Sequence, residues 1–247
     1  MLGLAATPLG IECVFLEHSA DAPAAATGRI HVAALDDSQA IAELAQSVDV
    51  LTSEIENVAI DGFRAAAQYC KVAPSADVIA AAQDRLSEKR LFASYGIPTA
   101  QYAVLDSAAD AAELAVSQQA PRIIKTRRLG YDGRGQRLVR SGDEAADAFA
   151  ELGSVPSIAE ELVDFDCEVS LIGVRGRSGE LAFYPLCRNS HKDGILEHTV
   201  APFENSQLQA RAEAWVSSLL ERTEYVGVLT VEFFVTKTGL IANEMAP

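Results

Sequence analysis

The stretch from Arg122 to Gln136 constrains this chain more than any other. Arg122-Ile-Ile-Lys-Thr126 reads as an apolar strand that delivers one lysine, Lys125, and Gln136-Arg-Leu-Val139 reads as the strand that returns. Between them lie Gly130, Gly133 and Gly135, one aspartate and several arginines. The loop is not a P-loop, because no G-x-x-x-x-G-K-[ST] occurs, and its glycines do not fit a G-x-G-x-x-G that opens a helix. Glycine removes side-chain bulk, so backbone N–H groups are free to close around phosphate oxygens. Lys125, Arg127, Arg128 and Arg134 add positive charge. The chain has 20 Lys plus Arg against 35 Asp plus Glu, a net charge of −15, so a local cationic cluster stands out. The stretch reads as a mobile flap over a nucleoside triphosphate. The alternative is a Gly-rich hairpin turn with a solvated basic rim.

The acidic balance argues against non-specific nucleic-acid binding. The 247 residues suffice for one large or two smaller cores. No apolar run approaches the ~20 residues of a spanning helix, so no membrane role is expected. Cys13, Cys70, Cys167 and Cys187 form no C-x-x-C and no metal spacing. They read as buried thiols in a reducing cytosol.

Met1 to Thr7 reads as helical and is ended by Pro8-Leu9-Gly10. Strands are then expected at Ile11–Leu16, Arg29–Leu35 and Asp49–Glu54, with helices at Gln39–Val48 and Asp61–Tyr69. This alternation implies a parallel sheet, whose ligands bind at the carboxyl ends of the strands. Glu54 sits at such an end. Glu54 and Glu56 read equally well as solvated loop acids. Ser75 to Gly96 reads as two helical pieces stopped by Gly96-Ile-Pro98, and this stretch is the candidate domain boundary. Beyond it the pattern predicts strands at Gln101–Leu105, Arg122–Thr126, Gln136–Val139 and Ser157–Glu161, with helices at Ser107–Gln119 and Gly142–Leu152. Strands at Cys167–Val174 and Leu181–Leu186, the long helix Ser206–Glu224 and the strand Gly227–Val235 follow. A turn at Thr236–Gly239 then leads into Leu240–Met245.

If that last turn centres on Thr238, Glu232 and Glu244 lie equally far from it and become cross-strand partners, with Cβ atoms ~5 Å apart. Two carboxylates so close repel unless a cation sits between them. Mg²⁺ suits the position, because it takes one or two protein carboxylates and completes its octahedron with water and phosphate oxygens. Asn243 adds a neutral amide. The alternative places one glutamate on a solvent face, but Glu232 lies within Val228-Leu-Thr-Val-Glu-Phe-Phe-Val235, where a carboxylate needs a partner.

The motifs that recur in order along the chain are Ser53-Glu-Ile-Glu-Asn-Val58, Asp84-Arg-Leu86, Ile124-Lys125, Gly130-Tyr-Asp-Gly-Arg-Gly-Gln136, Glu160-Glu161, Cys167-Glu-Val-Ser170, Tyr184-Pro-Leu186, His191-Lys-Asp-Gly-Ile-Leu196, Gly227-Val228 and Asn243-Glu-Met-Ala-Pro247. Together they resemble the ATP-grasp superfamily, and within it the family of 5-(carboxyamino)imidazole ribonucleotide synthases. The resemblance implies an α/β chain. A Rossmann-like, pre-ATP-grasp parallel-sheet domain would span residues 1–76. An α+β ATP-grasp domain would span 77–247, with 101–161 as its flap-bearing subdomain.

The same resemblance assigns roles. Arg85 and Lys125 would contact ATP phosphates. Gly130, Tyr131, Asp132, Gly133, Arg134, Gly135 and Gln136 would form the flap, with Tyr131, Asp132 and Arg134 reaching the reacting end as catalytic residues. Glu160, Glu161, Leu162 and Val163 would hold the adenine and hinge region, Glu168 the ribose hydroxyls, and His191 would approach the phosphates. Glu232 and Glu244 would bind Mg²⁺, Asn243 would sit beside the nucleotide, and Glu54 would touch 5-aminoimidazole ribonucleotide. The implied cytoplasmic reaction in purine biosynthesis consumes ATP, bicarbonate and that ribonucleotide, with a homodimer when full length and no nucleic-acid partner. The family also carries a Gly-rich turn before the position of Met1 and an Arg- and His-bearing segment after Pro247. The resemblance therefore implies a chain truncated at both ends that binds Mg·ATP and carboxylates poorly. Two other readings stay open: another ATP-grasp carboxylate–amine ligase, and a nucleotide-binding fragment without turnover.

Overall fold

The computed structural model describes residues 1–116, 121–130, 133–141, 144–192 and 194–247. Two compact units are present, Met1–Ala80 with Pro247, and Ala81–Ala246.

The first unit contains α1 (Leu2–Ala6), β1 (Val14–Glu17), β2 (Arg29–Val32), α2 (Ser38–Ala45), β3 (Val50–Leu51), α3 (Ile60–Ala66), β4 (Lys71–Val72) and most of α4 (Ala76–Ala82). β1 pairs with β2 and β3 with β4, both in parallel. α2 begins where Asp37 accepts hydrogen bonds from the N–H groups of Gln39 and Ala40, which satisfies two donors that a helix start leaves open. Ser38 is the first helical residue, one earlier than expected. Ile41, Leu44 and Ala45 of α2 meet Phe63 and Ala66 of α3 over Leu51 and Ile79. The strands are shorter than expected. Ile11 is 57% exposed and lies outside β1, and of the strand expected over Asp49–Glu54 only Val50 and Leu51 form.

The second unit carries α5 (Arg85–Ser94), β5 (Tyr102–Leu105), α6 (Ala108–Val116), β6 (Arg122–Thr126), β7 (Gln136–Val139), α7 (Glu144–Glu151), β8 (Ser157–Glu161), β9 (Cys167–Arg175), β10 (Leu181–Phe183), β11 (Cys187–Lys192), β12 (Ile195–Val200), α8 (Ser206–Arg222), β13 (Gly227–Thr236) and β14 (Gly239–Ala246). It holds two sheets. One has the order β5-β8-β6-β7 and is antiparallel throughout. Leu105, Ile124, Val139 and Ala159 from its strands close on Ala111 and Leu114 of α6 and on Ala145, Ala148 and Phe149 of α7. The other has the order β12-β11-β9-β13-β14, with β10 on β9. Here α8 packs on β9 and β14. Its Val216, Leu219 and Leu220 are buried, as are Val169, Leu171, Leu229, Val231 and Phe233 of the strands. Asn205 caps α8 through the N–H of Leu208.

Two corrections concern this second sheet. The strand expected over Leu181–Leu186 ends at Phe183, and the hairpin β11–β12 was not anticipated at all. The thiols also differ from expectation. All four cysteines are free, but only Cys187 is buried and the other three are half-buried. Among the described residues no helix is long and apolar enough to cross a membrane.

Candidate active site

α5 begins at Asp84, whose carboxylate accepts from the N–H groups of Leu86 and Ser87 at 3.0 and 3.2 Å. Residues at i, i+3 and i+4 share a helix face, so this cap sends Arg85, Glu88 and Lys89 out together. Asp84 also takes the Arg127 guanidinium through two bonds, at 2.7 and 3.1 Å. Arg128 lies 3.5 Å from it and Asp106 lies 3.3 Å from Arg127. Arg127 and Arg128 belong to the cationic cluster read from the sequence. They are pinned at the base of the flap by an aspartate. Burial pushes the Asp84 carboxyl up, but the Arg127 hydrogen bond and the helix N–H groups outweigh it, and the net shift is downward.

Lys125 on β6 stands opposite Ile158 on β8, so Glu160 is its diagonal neighbour on the same face. Lys125 Nζ is 2.8 Å from Glu160 Oε2, and Lys89 Nζ is 2.9 Å from Oε1. All three residues are buried. Burial raises the Glu160 pKa, but Lys125 and Lys89 overcome it and bring it to about 2. Both carboxylate oxygens of Glu160 thus face ammonium groups. Glu161 and Leu162 are exposed and Val163 half-buried just beyond β8.

The flap's stem is the β6–β7 pair, with Gln136 opposite Lys125. Gly133 and Gly135 have φ of +73° and +70°, a conformation that side chains disfavour. A Cβ on Gly135 would also lie 2.6 Å from Thr126 Oγ1, and one on Gly130 would lie 3.2 Å from the Arg134 carbonyl. Tyr131 and Asp132 lie outside the described residues.

The β13–β14 hairpin turns on Lys237 and Thr238, with Thr236 opposite Gly239. The turn is thus centred half a residue earlier than the sequence reading placed it. A register shift between Val231 and Phe233 then restores the pairing, because Phe233 faces Ala242 while Val231 faces Met245. This bulge sets Asn243 and Glu244 opposite Glu232. Glu232 also pairs with Ser170 on β9, and Phe234 pairs with Glu168, so Glu168 and Glu232 share a face. His191 Nδ1 makes a close contact with Glu168 Oε2.

Arg85 joins these pieces. Its Nη1 is 2.8 Å from Glu244 Oε2 and its Nη2 donates to the Gly130 carbonyl at 3.4 Å. Burial alone would raise the Glu244 pKa, but the charge and hydrogen bond of Arg85 pull it below the usual carboxylate value. Burial, followed by the Glu244 and Glu168 charges, pushes Glu232 up to about 7. Opposite shifts in neighbouring carboxylates mark a site short of positive charge. Asn243 Oδ1 is buried with no hydrogen-bond partner among the described residues. Two carboxylates and an orphaned amide oxygen are the hard donors that Mg²⁺ prefers, with remaining positions left to water and phosphate. Among the described residues no group of three or more His, Cys, Asp or Glu side chains is arranged to hold a metal unaided. The residues fit an ion completed by its ligand.

Sequence reasoning missed Lys89 and Glu88. Glu88 is fully buried and accepts the Met245 N–H at 2.6 Å. Burial, against that bond, pushes its carboxyl to about 8. The signal was the Asp84 cap, which fixes the helix face. Glu54 lies in the first unit, in the loop after β3, and accepts the Leu2 N–H at 2.7 Å.

Residues 90–247 match the ATP-grasp domain model, and residues 1–83 match the ribonucleotide synthetase preATP-grasp domain model. The chain belongs to the ATP-grasp family. Over its whole length it is 45% identical to N5-carboxyaminoimidazole ribonucleotide synthase of Pseudomonas aeruginosa, covering 68% of that protein. It is 42% identical to the Brucella melitensis protein of the same name, covering 70%. Among solved structures, the Thermus thermophilus synthetase superposes on the full chain with a TM-score of 0.91 at 40% identity, over 68% of its own length. The Aspergillus clavatus synthase, in complex with ADP and 5-aminoimidazole ribonucleotide, superposes with a TM-score of 0.86 at 25% identity, over 66% of its length. This ATP-grasp chain thus spans about two thirds of the length of these relatives.

Proposed function

We propose that this protein is an N5-carboxyaminoimidazole ribonucleotide synthase, which uses ATP to join bicarbonate to the exocyclic amine of 5-aminoimidazole ribonucleotide. The observation that carries the reading is the β13–β14 hairpin, where Glu232, Glu244 and the orphaned Asn243 oxygen meet beside Arg85 and Lys125. That arrangement suits a metal-bound polyphosphate, and the kinship with named synthases supplies the substrate class.

Bicarbonate is a poor electrophile. In this reading its oxygen attacks the γ-phosphoryl of ATP, ADP leaves, and the resulting carboxyphosphate presents an activated carbon to the ribonucleotide amine. Carboxylation of the nitrogen releases phosphate. Arg85 and Lys125 neutralise phosphate oxygens and hold them in line, which is most of what a protein contributes to such a transfer. The flap backbone at Gly130, Gly133 and Gly135 covers the phosphates, with Tyr131, Asp132 and Arg134 at the reacting end, and excludes water from the carboxyphosphate. Glu168 accepts the ribose hydroxyls, and His191, already on that carboxylate, turns toward the phosphates. Glu161, Leu162 and Val163 border the base, and Glu54 contacts the ribonucleotide. Mg²⁺, held by Glu232, Glu244 and Asn243, would supply Lewis-acid charge neutralisation at the phosphates. A cytoplasmic homodimer completes the proposal.

The test is ADP formation with each substrate omitted in turn, using ¹⁸O-labelled bicarbonate. The reading requires both bicarbonate and aminoimidazole ribonucleotide, and label in the released phosphate. ADP formation that depends on a different acid or amine would indicate another carboxylate–amine ligase of the family.

A further inference from the structure

We propose that Lys89 is a positioning residue of the phosphate site: it neutralises Glu160, so that the charge of Lys125 stays available to a bound polyphosphate. The inference rests on the nucleotide-binding reading above and adds a residue to it.

Lys89 is 1% exposed, so it does not reach a ligand and must act through a neighbour. That neighbour is Glu160, whose two carboxylate oxygens are divided between the Lys89 and Lys125 ammonium groups at 2.9 and 2.8 Å. Without Lys89, Lys125 and Glu160 would form a neutral buried pair. A phosphate would then compete with Glu160 for the Lys125 ammonium. Two ammoniums against one carboxylate leave one positive charge over. Neighbouring groups do not cancel that surplus. Arg85 and Glu244 offset each other at 2.8 Å.

The cost of this arrangement argues the same way. Burying an ammonium is expensive, and a buried ion pair is weak evidence for stability. What Lys89 gains in return is its charged contact with Glu160, 2.9 Å from Nζ to Oε1. It also ties α5 to β8, which fixes the carboxylate against which Lys125 is aimed.

The experiment is a charge-complementation series read by calorimetric titration with Mg·ATP, and with adenosine as a ligand that carries no phosphate. Lys89→Met keeps the side-chain length and removes the charge. It should weaken Mg·ATP binding by roughly 10- to 100-fold, as expected for one unit charge lost within a few ångströms in a poorly screened site. Adenosine affinity should change by less than about threefold. The double variant Lys89→Met with Glu160→Gln restores the surplus of one positive charge on Lys125. It should regain most of the Mg·ATP affinity, which a merely structural role for Lys89 would not produce.

The proposal is overturned if Lys89→Met binds Mg·ATP like the parent or weakens ATP and adenosine alike. It is also overturned if the double variant binds no better than the single one. If Lys89→Met does not fold, the double variant is compared with the parent directly. Mg·ATP affinity within about threefold then supports the proposal, and a larger loss sinks it. A parent protein that fails to bind Mg·ATP removes the nucleotide reading, and this inference with it.

Discussion

Replacing Asp84 tests the scaffold that aims the site. Its carboxylate, 4% exposed, caps α5 through two N–H groups and grips Arg127 at 2.7 and 3.1 Å. Removing an N-cap costs about 1 kcal/mol. Breaking a fully buried ion pair costs about 3–5 kcal/mol, but Arg127 is 23% exposed and keeps Asp106 at 3.3 Å, which reduces that loss to about 1–2 kcal/mol. Asp84→Ala should therefore destabilise by about 2–3 kcal/mol, or about 4–12 °C in Tm for a chain of this size. Asp84→Asn keeps an oxygen for the cap and loses only the charge, so it should be about 1 kcal/mol milder. Urea unfolding at several pH values measures both. Because the folded-state pKa of Asp84 lies below its ordinary value of 3.8, its contribution is present above that value and is lost as pH falls through the lower, folded one. The gap between the parent and Asp84→Asn should close in acid. An Asp84→Ala cost under about 1 kcal/mol, or equal costs for Ala and Asn, would refute this account of the motif.

Gly135→Ala places a Cβ at φ +70°, 2.6 Å from Thr126 Oγ1, and should cost about 1–3 kcal/mol and weaken Mg·ATP binding; an unchanged melting curve would contradict the strained stem. Tryptic cleavage after Arg134 should slow when Mg·ATP is added, since bound phosphate offsets the entropy of ordering the loop; equal rates would count against a flap. Glu88 has its folded-state pKa raised to about 8 from 4.5, so its stabilising contribution is complete below 4.5 and falls until pH passes about 8. Glu88→Gln keeps an acceptor for the Met245 N–H and should flatten that decline, which reaches about 1.4 kcal/mol per pH unit at most. An identical pH–stability profile would show that Glu88 ionises normally.

Much of this architecture was legible because apolar strands and capped helices write their periods into the sequence. Lys125 and Glu160 could be placed on strands from Arg122-Ile-Ile-Lys-Thr126 and Ser157-Ile-Ala-Glu-Glu161 alone. The β11–β12 hairpin was not, because β12 is exposed at every position and the buried positions of β11 are Cys187 and the polar Asn189, so no apolar alternation marks the strands. The Asp193-Gly194 dipeptide was the available cue. The turn at Lys237–Thr238 was misplaced because a bulge adds one residue to β14 and leaves the far pairing intact, so the carboxylates met for a reason the symmetric count did not contain. The Lys89–Glu160–Lys125 cluster was invisible for a different reason. Its members come from a helix and two strands, and only the tertiary packing brings a charge on α5 against a charge on β8.

The most direct test of the metal–nucleotide site is a calorimetric titration of ATP in Mg²⁺ and in EDTA, for the parent, Glu232→Gln, Glu244→Gln and the double variant. One ATP should bind per chain, more tightly by about tenfold or more in Mg²⁺. Each single change should abolish most of that gain, and the double should cost less than the sum of the two, because one ion is lost either way. ATP binding that is equally tight in EDTA, or strictly additive losses, would contradict a single ion shared by Glu232 and Glu244.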